Sequence, residues 1–172
     1  MMRAKHVTFY VMIPYFARIL DILFPPVCFS CGVILSDTEA VIVCAKCSDS
    51  ISRNTRLVKK DNYILLSASH YSESALRALI RQLKFRRMTR AAPELAKLLH
   101  SILVNARVPV DQYILIPIPL HASRLRERGF NQTELIAQEL GKLTGVSVDS
   151  TFLIRARKTR RQTEIRSHKE RE

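Results

Sequence analysis

The chain has 172 residues, 47% of them hydrophobic, which is enough for one ordinary domain plus a small module and excludes disorder throughout. Its formal net charge is +13, so its surface attracts polyanions: nucleic acid, phosphate esters or anionic lipid. Only four glycines and no tryptophan occur, which leaves little material for a glycine-rich phosphate-cradling loop.

Residues 7–24 are rich in apolar side chains but are interrupted by Pro14, Arg18 and Asp21, too short and too broken for a membrane span. The stretch is also a poor signal peptide, because no small-residue cleavage site follows it. Ile13, Phe16, Ala17, Leu20 and Phe24 recur at helical spacing. The expectation is an amphipathic helix within residues 1–26, stopped by Pro25-Pro26 and docked on the protein's own core. A helix lying on a membrane surface is the alternative. With no targeting signal, the expected location is cytoplasmic.

All four cysteines fall within residues 28–47, as Cys28-x2-Cys31, twelve residues, then Cys44-x2-Cys47. A Cys-x-x-Cys turn aims two sulfurs at one metal, and two such knuckles complete a tetrahedral thiolate shell around Zn2+. With no position left open, such a zinc is structural rather than catalytic. Gly32 stands where a knuckle turn favours a residue free to take positive φ. Val41, Ile42 and Val43 suggest a short strand entering the second knuckle. Two disulfides would require an oxidising compartment, a thioredoxin-type site has one Cys-x-x-Cys rather than two, and an iron–sulfur cluster fits the regular pairing less well. A ribbon over residues 27–61 of this size derives its folding energy largely from the metal. Its role is docking onto protein or nucleic acid, or stapling of the N-terminal region.

Residues 48–62 are polar and charged and read as a helix end and linker, so a second domain is expected over 62–172. Tyr63 to Tyr71 reads as a strand. Ser72 or Ser74 would cap a helix running to about Arg87, with Leu76, Leu79, Ile80 and Leu83 as its apolar stripe and Arg77, Arg81, Lys84, Arg86 and Arg87 as a dense basic side. Phe85 and Phe130 read first as core residues and second as rings that could stack on bases. Pro93 fits the first turn of the next helix, whose buried face is Leu95, Leu98, Leu99, Ile102 and Leu103, with its end at Asn105 to Pro109. Tyr113 to Ile118 is nearly all apolar, as a strand covered on both faces would be. A basic loop from His121 to Gly129 follows, with Arg124, Arg126 and Arg128 at alternate positions as a candidate anion clamp. Asn131 caps a further helix, Glu134 completes a capping-box-like pair, and Gly141 and Gly145 end it. Val146 to Ile154 reads as a strand. The order predicts an α/β domain with a largely parallel sheet, in which ligands sit beyond the carboxyl ends of the strands.

The strings LFPPVCFSCG, CAKC, LIRQLKFRR, PIPLHASRLRERGFNQTELIAQEL and LIRARKTRRQ, in that order, resemble the ComF family from about Leu20 to Glu172. RGFNQ with the preceding PIPLH is the specific part, and Arg155-x-x-x-Thr159-x-x-Gln162 fits the segment beyond the last strand. The resemblance implies a small N-terminal zinc ribbon followed by a type I phosphoribosyltransferase-like parallel sheet with flanking helices. It implies phosphoribosyl pyrophosphate and Mg2+ as ligands of a full-length member, with Pro117 to Arg128 on the pyrophosphate side and Arg155, Thr159 and Gln162 on or near a flexible loop. It also implies a role in natural competence, with single-stranded DNA and a protein of the competence machinery as partners. The chain departs from the type I signature: it has no two adjacent acidic residues for the ribose hydroxyls, and its one Thr-Gly pair, Thr144-Gly145, follows Lys142 and Leu143. The expectation is therefore a C-terminally truncated member with no assignable catalytic residue and no transferase activity. An incomplete sheet would leave an open edge and uncovered apolar surface. The alternative is a nucleic-acid-binding or protein-docking module without enzymatic activity.

Overall fold

A computed structural model describes residues 23, 25–35, 42–53 and 56–159. The elements in chain order are α1 (Ala45–Asp49), β1 (Arg56–Lys59), β2 (Ile64–Ser67), α2 (Ser74–Phe85), α3 (Ala91–Asn105), a 3-10 turn (Val110–Gln112), α4 (Ala122–Arg128) and α5 (Gln132–Thr144). The helix expected within residues 1–26 and the candidate Gln162 lie outside the described residues, apart from an exposed Leu23 and the Pro25-Pro26 pair.

The stripe of α2 lies where its spacing predicts, and that of α3 does so only in part. On α2, Ala75, Leu76, Ala78, Leu79 and Leu83 turn inward, while Arg77 and Arg81 face solvent. The cap differs from expectation: Glu73, not a serine, is the N-cap residue. On α3 the deepest positions are Ala91, Ala92, Leu95, Ala96 and Ile102. Leu98, Leu99 and Leu103 are only half-buried, because the small alanines are what bring neighbouring backbones close. α3 packs most extensively on α5 and also touches α2. Burying Leu79, Leu83 or Ile102, each about 1% exposed, contributes roughly 1.5–3 kcal/mol apiece.

The cysteine segment has no separate core. Cys28, Ile42, Val43 and Ile51 form one cluster with Leu76, Leu79 and Leu83 of α2 and Ala91, Ala92 and Leu95 of α3. Ile42 and Val43 reach it from a bend rather than from the short strand expected there.

Among the described residues the only ladder is the antiparallel hairpin β1–β2, with Leu57 opposite Leu66 and Val58 opposite Leu65. The stretch 48–62 is thus not a plain linker. Leu57 and Val58 find apolar cross-strand partners that outweigh the charged residues beside them. The hairpin straddles residue 62, where the second domain was expected to begin.

The expected strand Tyr113–Ile118 meets the expected strand Val146–Ile154 at a single parallel bridge, Leu115 with Val148. Leu115 N–H donates to Ser147 O and Asp149 N–H donates to Leu115 O, both at 2.9 Å. Coverage on both faces is not met: Tyr113, Ile114 and Ile118 are exposed, since one bridge covers little of the strand. The second strand stops early because the Asp149 carboxylate accepts from Thr151 N–H, Thr151 hydroxyl and Phe152 N–H at 2.8, 2.7 and 3.1 Å, turning the chain. Gly141 does not end α5; it lies inside it, and a Cβ there would stand 2.9 Å from both Val146 O and Val148 Cγ2. Only glycine lets the helix lie this close to the bridge.

Candidate functional site

The first knuckle is a tight hairpin. Cys28 N–H donates to Val33 O, Gly32 N–H donates to Cys28 O, and Val27 pairs with Ile34. Gly32 takes φ +77°, as the turn requires. The second knuckle is a helix start, with Cys44 as N-cap of α1 and Cys47 on its first turn. The sulfurs of Cys28, Cys31, Cys44 and Cys47 all lie within 4.8 Å of one another, and the Cys31–Cys44 separation is 3.8 Å. Four thiolates around a zinc at about 2.3 Å stand roughly 3.8 Å apart, so the set fits a tetrahedral metal. None of the four is in a disulfide, whose S–S bond would be about 2.05 Å.

The thiols make four anions in one place hard to hold without a cation. Burial pushes the Cys28 thiol up, but the N–H groups of Cys31, Cys44 and Ser30 and the Cys31 side chain outweigh it, lowering its pKa to about 6. The Cys44 N–H stands 3.3 Å from that sulfur. At Cys47 the Ser30 hydroxyl favours the thiolate, yet Cys31, burial, Cys44 and Cys28 prevail and push the thiol up to about 12. A bound dication would neutralise the thiolates and supply folding energy.

The basic residues of the second candidate set divide. Arg77, Arg81, Lys84 and Phe85 are spaced four, three and one apart, which places them along one side of α2. Phe85 is 67% exposed, contrary to its reading as core; Phe130 is half-buried and packs on the core as expected. Arg86 and Arg87 sit beyond the stripe. Arg86 is the C-cap, and Arg87 takes φ +56°, a left-handed position that costs a non-glycine residue about 1 kcal/mol. Met88 N–H reaches back to Gln82 O at 3.2 Å, closing the helix end. The Arg87 guanidinium donates to Glu127 O at 2.9 Å, capping the carbonyl end of α4.

The basic loop expected at 121–129 is a helix. His121 is its N-cap, accepting from Ser123 N–H at 3.2 Å, and Gly129 closes it at φ +88°. Helical spacing puts Arg124 and Arg128 on one side and Arg126, which is exposed, on the other. Arg128 donates to Gln132 Oε1. Arg124 donates to Thr159 O at 2.7 Å, and Arg155 donates to Thr159 Oγ1 at 2.8 Å. Two arginines from segments 31 residues apart thus converge on one threonine.

The sequence marks Asn131 as a helix cap. It is also a latch: 8% exposed, it donates from Nδ2 to Ile118 O at 3.1 Å and accepts from Thr133 N–H at 3.3 Å, while Thr133 Oγ1 donates to the same Ile118 O at 2.6 Å. This ties the exit of the apolar strand to the start of α5. The strand-to-cap spacing, PIPLH to RGFNQ, was the available signal.

No helix among the described residues is long and apolar enough to cross a membrane. No family model matches the chain, and no solved structure does. Curated relatives do. The DNA utilization protein YhgH of Salmonella typhi is 37% identical over 102 residues, which is 57% of this chain and 44% of that protein. Those of Escherichia coli O157:H7 and of Shigella flexneri are each 31% identical over 138 residues, 78% of this chain and 56% of theirs. The chain spans about half the length of the curated relatives it matches.

Proposed function

We propose that this chain is a ComF-like protein of DNA utilisation, a zinc ribbon joined to a phosphoribosyltransferase-like α/β unit, that holds single-stranded DNA on the exposed side of α2. The observation that carries the reading is the line of Arg77, Arg81, Lys84 and an exposed Phe85. Cations along one face track a phosphate backbone, and a solvent-facing ring offers a base something to stack on. The names of the relatives support a DNA-related role, and the four-sulfur cluster supports the ribbon. The expected result in a salt series with a single-stranded oligonucleotide is a log–log slope near −2, from three neutralised phosphates at about −0.7 each. Phe85→Ala should cost about 1–3 kcal/mol of affinity at fixed salt. A flat slope with unchanged affinity in Phe85→Ala would remove the reading.

A second reading is favoured by the convergence of Arg124 and Arg155 on Thr159. Two guanidinium groups beside a threonine suit a pyrophosphate, as expected for a phosphoribosyl pyrophosphate site requiring Mg2+. In this reading the chain binds that ligand without turning it over, because no adjacent acidic pair is present to hold the ribose hydroxyls. Calorimetric titration with Mg2+ and phosphoribosyl pyrophosphate tests binding, and Arg124→Ala should abolish it. Pyrophosphate release should stay at the buffer level.

A further inference from the structure

Two hydrogen-bonded threads run from the thiol cluster to the first turn of α2. Ser30, next to Cys31, holds its hydroxyl 3.1 Å from that of Ser74, the first residue of α2. Five residues beyond Cys47, Ser52 donates its backbone N–H to Glu73 Oε2 at 2.9 Å and its hydroxyl to Glu73 Oε1. Glu73 is the N-cap residue of α2, yet its side chain makes no cap bond to its own helix. The ribbon holds that carboxylate beside the positive end of the helix, where a negative charge is favourable.

The metal bears on both threads. A metal-free ribbon of this kind has no fold of its own, so Ser30 and Ser52 lose their fixed positions when the metal leaves. Ile42, Val43 and Ile51 would then withdraw from their cluster with Leu76 and Leu79. The start of α2 frays first. Arg77, whose N–H donates to Glu73 O at 3.0 Å, is the cation nearest that end.

We propose that Ser30, Ser52 and Glu73 couple the metal site to the cationic side of α2, so that a bound metal and a single strand on that side strengthen each other's binding. Reciprocity is required: if the metal tightens the strand, the strand tightens the metal by the same factor. The nucleic-acid half rests on the function proposed above; the link between metal and helix does not.

Zinc affinity of the full chain, measured by chelator competition, tests the link. Glu73→Ala should weaken zinc about tenfold, the lower end of what outer-sphere partners give, and Glu73→Gln, which still accepts from Ser52, should recover most of it. Ser74→Ala leaves Glu73 in place and should weaken zinc less, about threefold; it serves if Glu73→Ala does not fold. Amide exchange at Ala75 to Arg77 should quicken in the zinc-loaded variants while exchange near Asn131 is unchanged. Equal zinc affinity across wild type and variants, or unchanged exchange at Ala75 to Arg77, overturns the coupling. A thymidine oligonucleotide of about 20 nucleotides, longer than common single-strand site sizes, tests the other half. It should bind loaded wild type more tightly than loaded Glu73→Ala; equal binding overturns the reciprocal link to the strand. If it does not bind loaded wild type at all, the DNA reading falls, and the chelator and exchange results still decide the link between metal and helix.

Discussion

The two halves of the described chain are held together by different chemistry. From Cys28 to Leu95 one apolar cluster joins the ribbon, α2 and α3, and its members come from segments far apart in sequence. From Tyr113 to Thr159 only Phe130 and, on α5, Leu135 and Ile136 reach that cluster; on either side large apolar side chains face solvent, Ile154 at 87%, and polar latches fix the chain: Asn131 on Ile118, Asp149 on Thr151. The first half therefore stands or falls as a unit with its metal. In the second half, away from the face of α5 that packs on α3, each latch can open by itself, as low-stability local units do. The two proposed readings divide along the same line: the cationic side of α2 belongs to the first half, and the Arg124–Thr159–Arg155 convergence to the second.

The largest effect expected from this contrast is loss of the metal. Cys44→Ser removes one of four sulfur donors and leaves a favourable N-cap residue at the start of α1, so the loss reads the metal alone. Native mass spectrometry should find no stoichiometric zinc, and the melting temperature should fall by roughly 10 °C or more, since each kcal/mol shifts a domain of this size by about 2–4 °C. Next comes a matched pair of truncations. Leu79→Ala, at a position 1% exposed, should cost about 2–5 kcal/mol in a urea titration. Ile114→Ala, at a position 50% exposed, should cost under about 1 kcal/mol. Equal losses would mean that the apolar strand is as deeply packed as α2, and the contrast between the halves would go.

What was legible in the sequence follows the same division by distance. The thiol knuckles, the stripe of α2 and the Asn131 cap depend on residues at most a few positions apart and are legible locally, whereas on α3 only Leu95 and Ile102 of the five expected positions are fully buried. The sequence of α4 suggests a loop because Leu125 is its one large apolar side chain. It is helical through His121 at its start, Gly129 at its end and Arg87 on its Glu127 carbonyl. The ribbon's hold on α2 spans 21 and 44 residues, so no local pattern announces it. Phe85 was misjudged for a related reason. Hydrophobicity alone suggests burial, but its place at the end of α2, one position past Lys84, turns it to solvent.

Asn131→Ala should have a smaller effect than Leu79→Ala, about 1–2 kcal/mol, the range for a lost N-cap. It also strips Ile118 O of one of two donors, leaving the Thr133 hydroxyl. Asn131→Asp keeps the acceptor for Thr133 N–H and loses the amide donor, so it should fall between wild type and alanine. In both variants the zinc stoichiometry should stay at one. A loss of zinc here would show that this latch is coupled to the metal site.

The smallest effect is at Asp149, and it is read by pH. Bonds from the Thr151 hydroxyl and N–H, with Phe152 N–H adding to them, hold its carboxyl below the ordinary value of 3.8 despite some desolvation. A depressed carboxyl contributes stability that is complete above its unfolded value and is lost as pH falls through the lower, folded one. The turn that ends the parallel pairing should therefore be intact at neutral pH and open only in acid, below about pH 4. Glu73 is lowered by Ser52 in the same direction, so acid also loosens the ribbon from α2, and a global signal would mix the two. Amide chemical shifts of Thr151 and Phe152 separate them. In wild type they should titrate together with an apparent pKa below 3.8. In Asp149→Asn, which keeps an acceptor without the charge, that titration should vanish while the turn persists. A midpoint at or above the ordinary carboxylate value would mean that the carboxylate is not held by these donors, and that something else ends the strand.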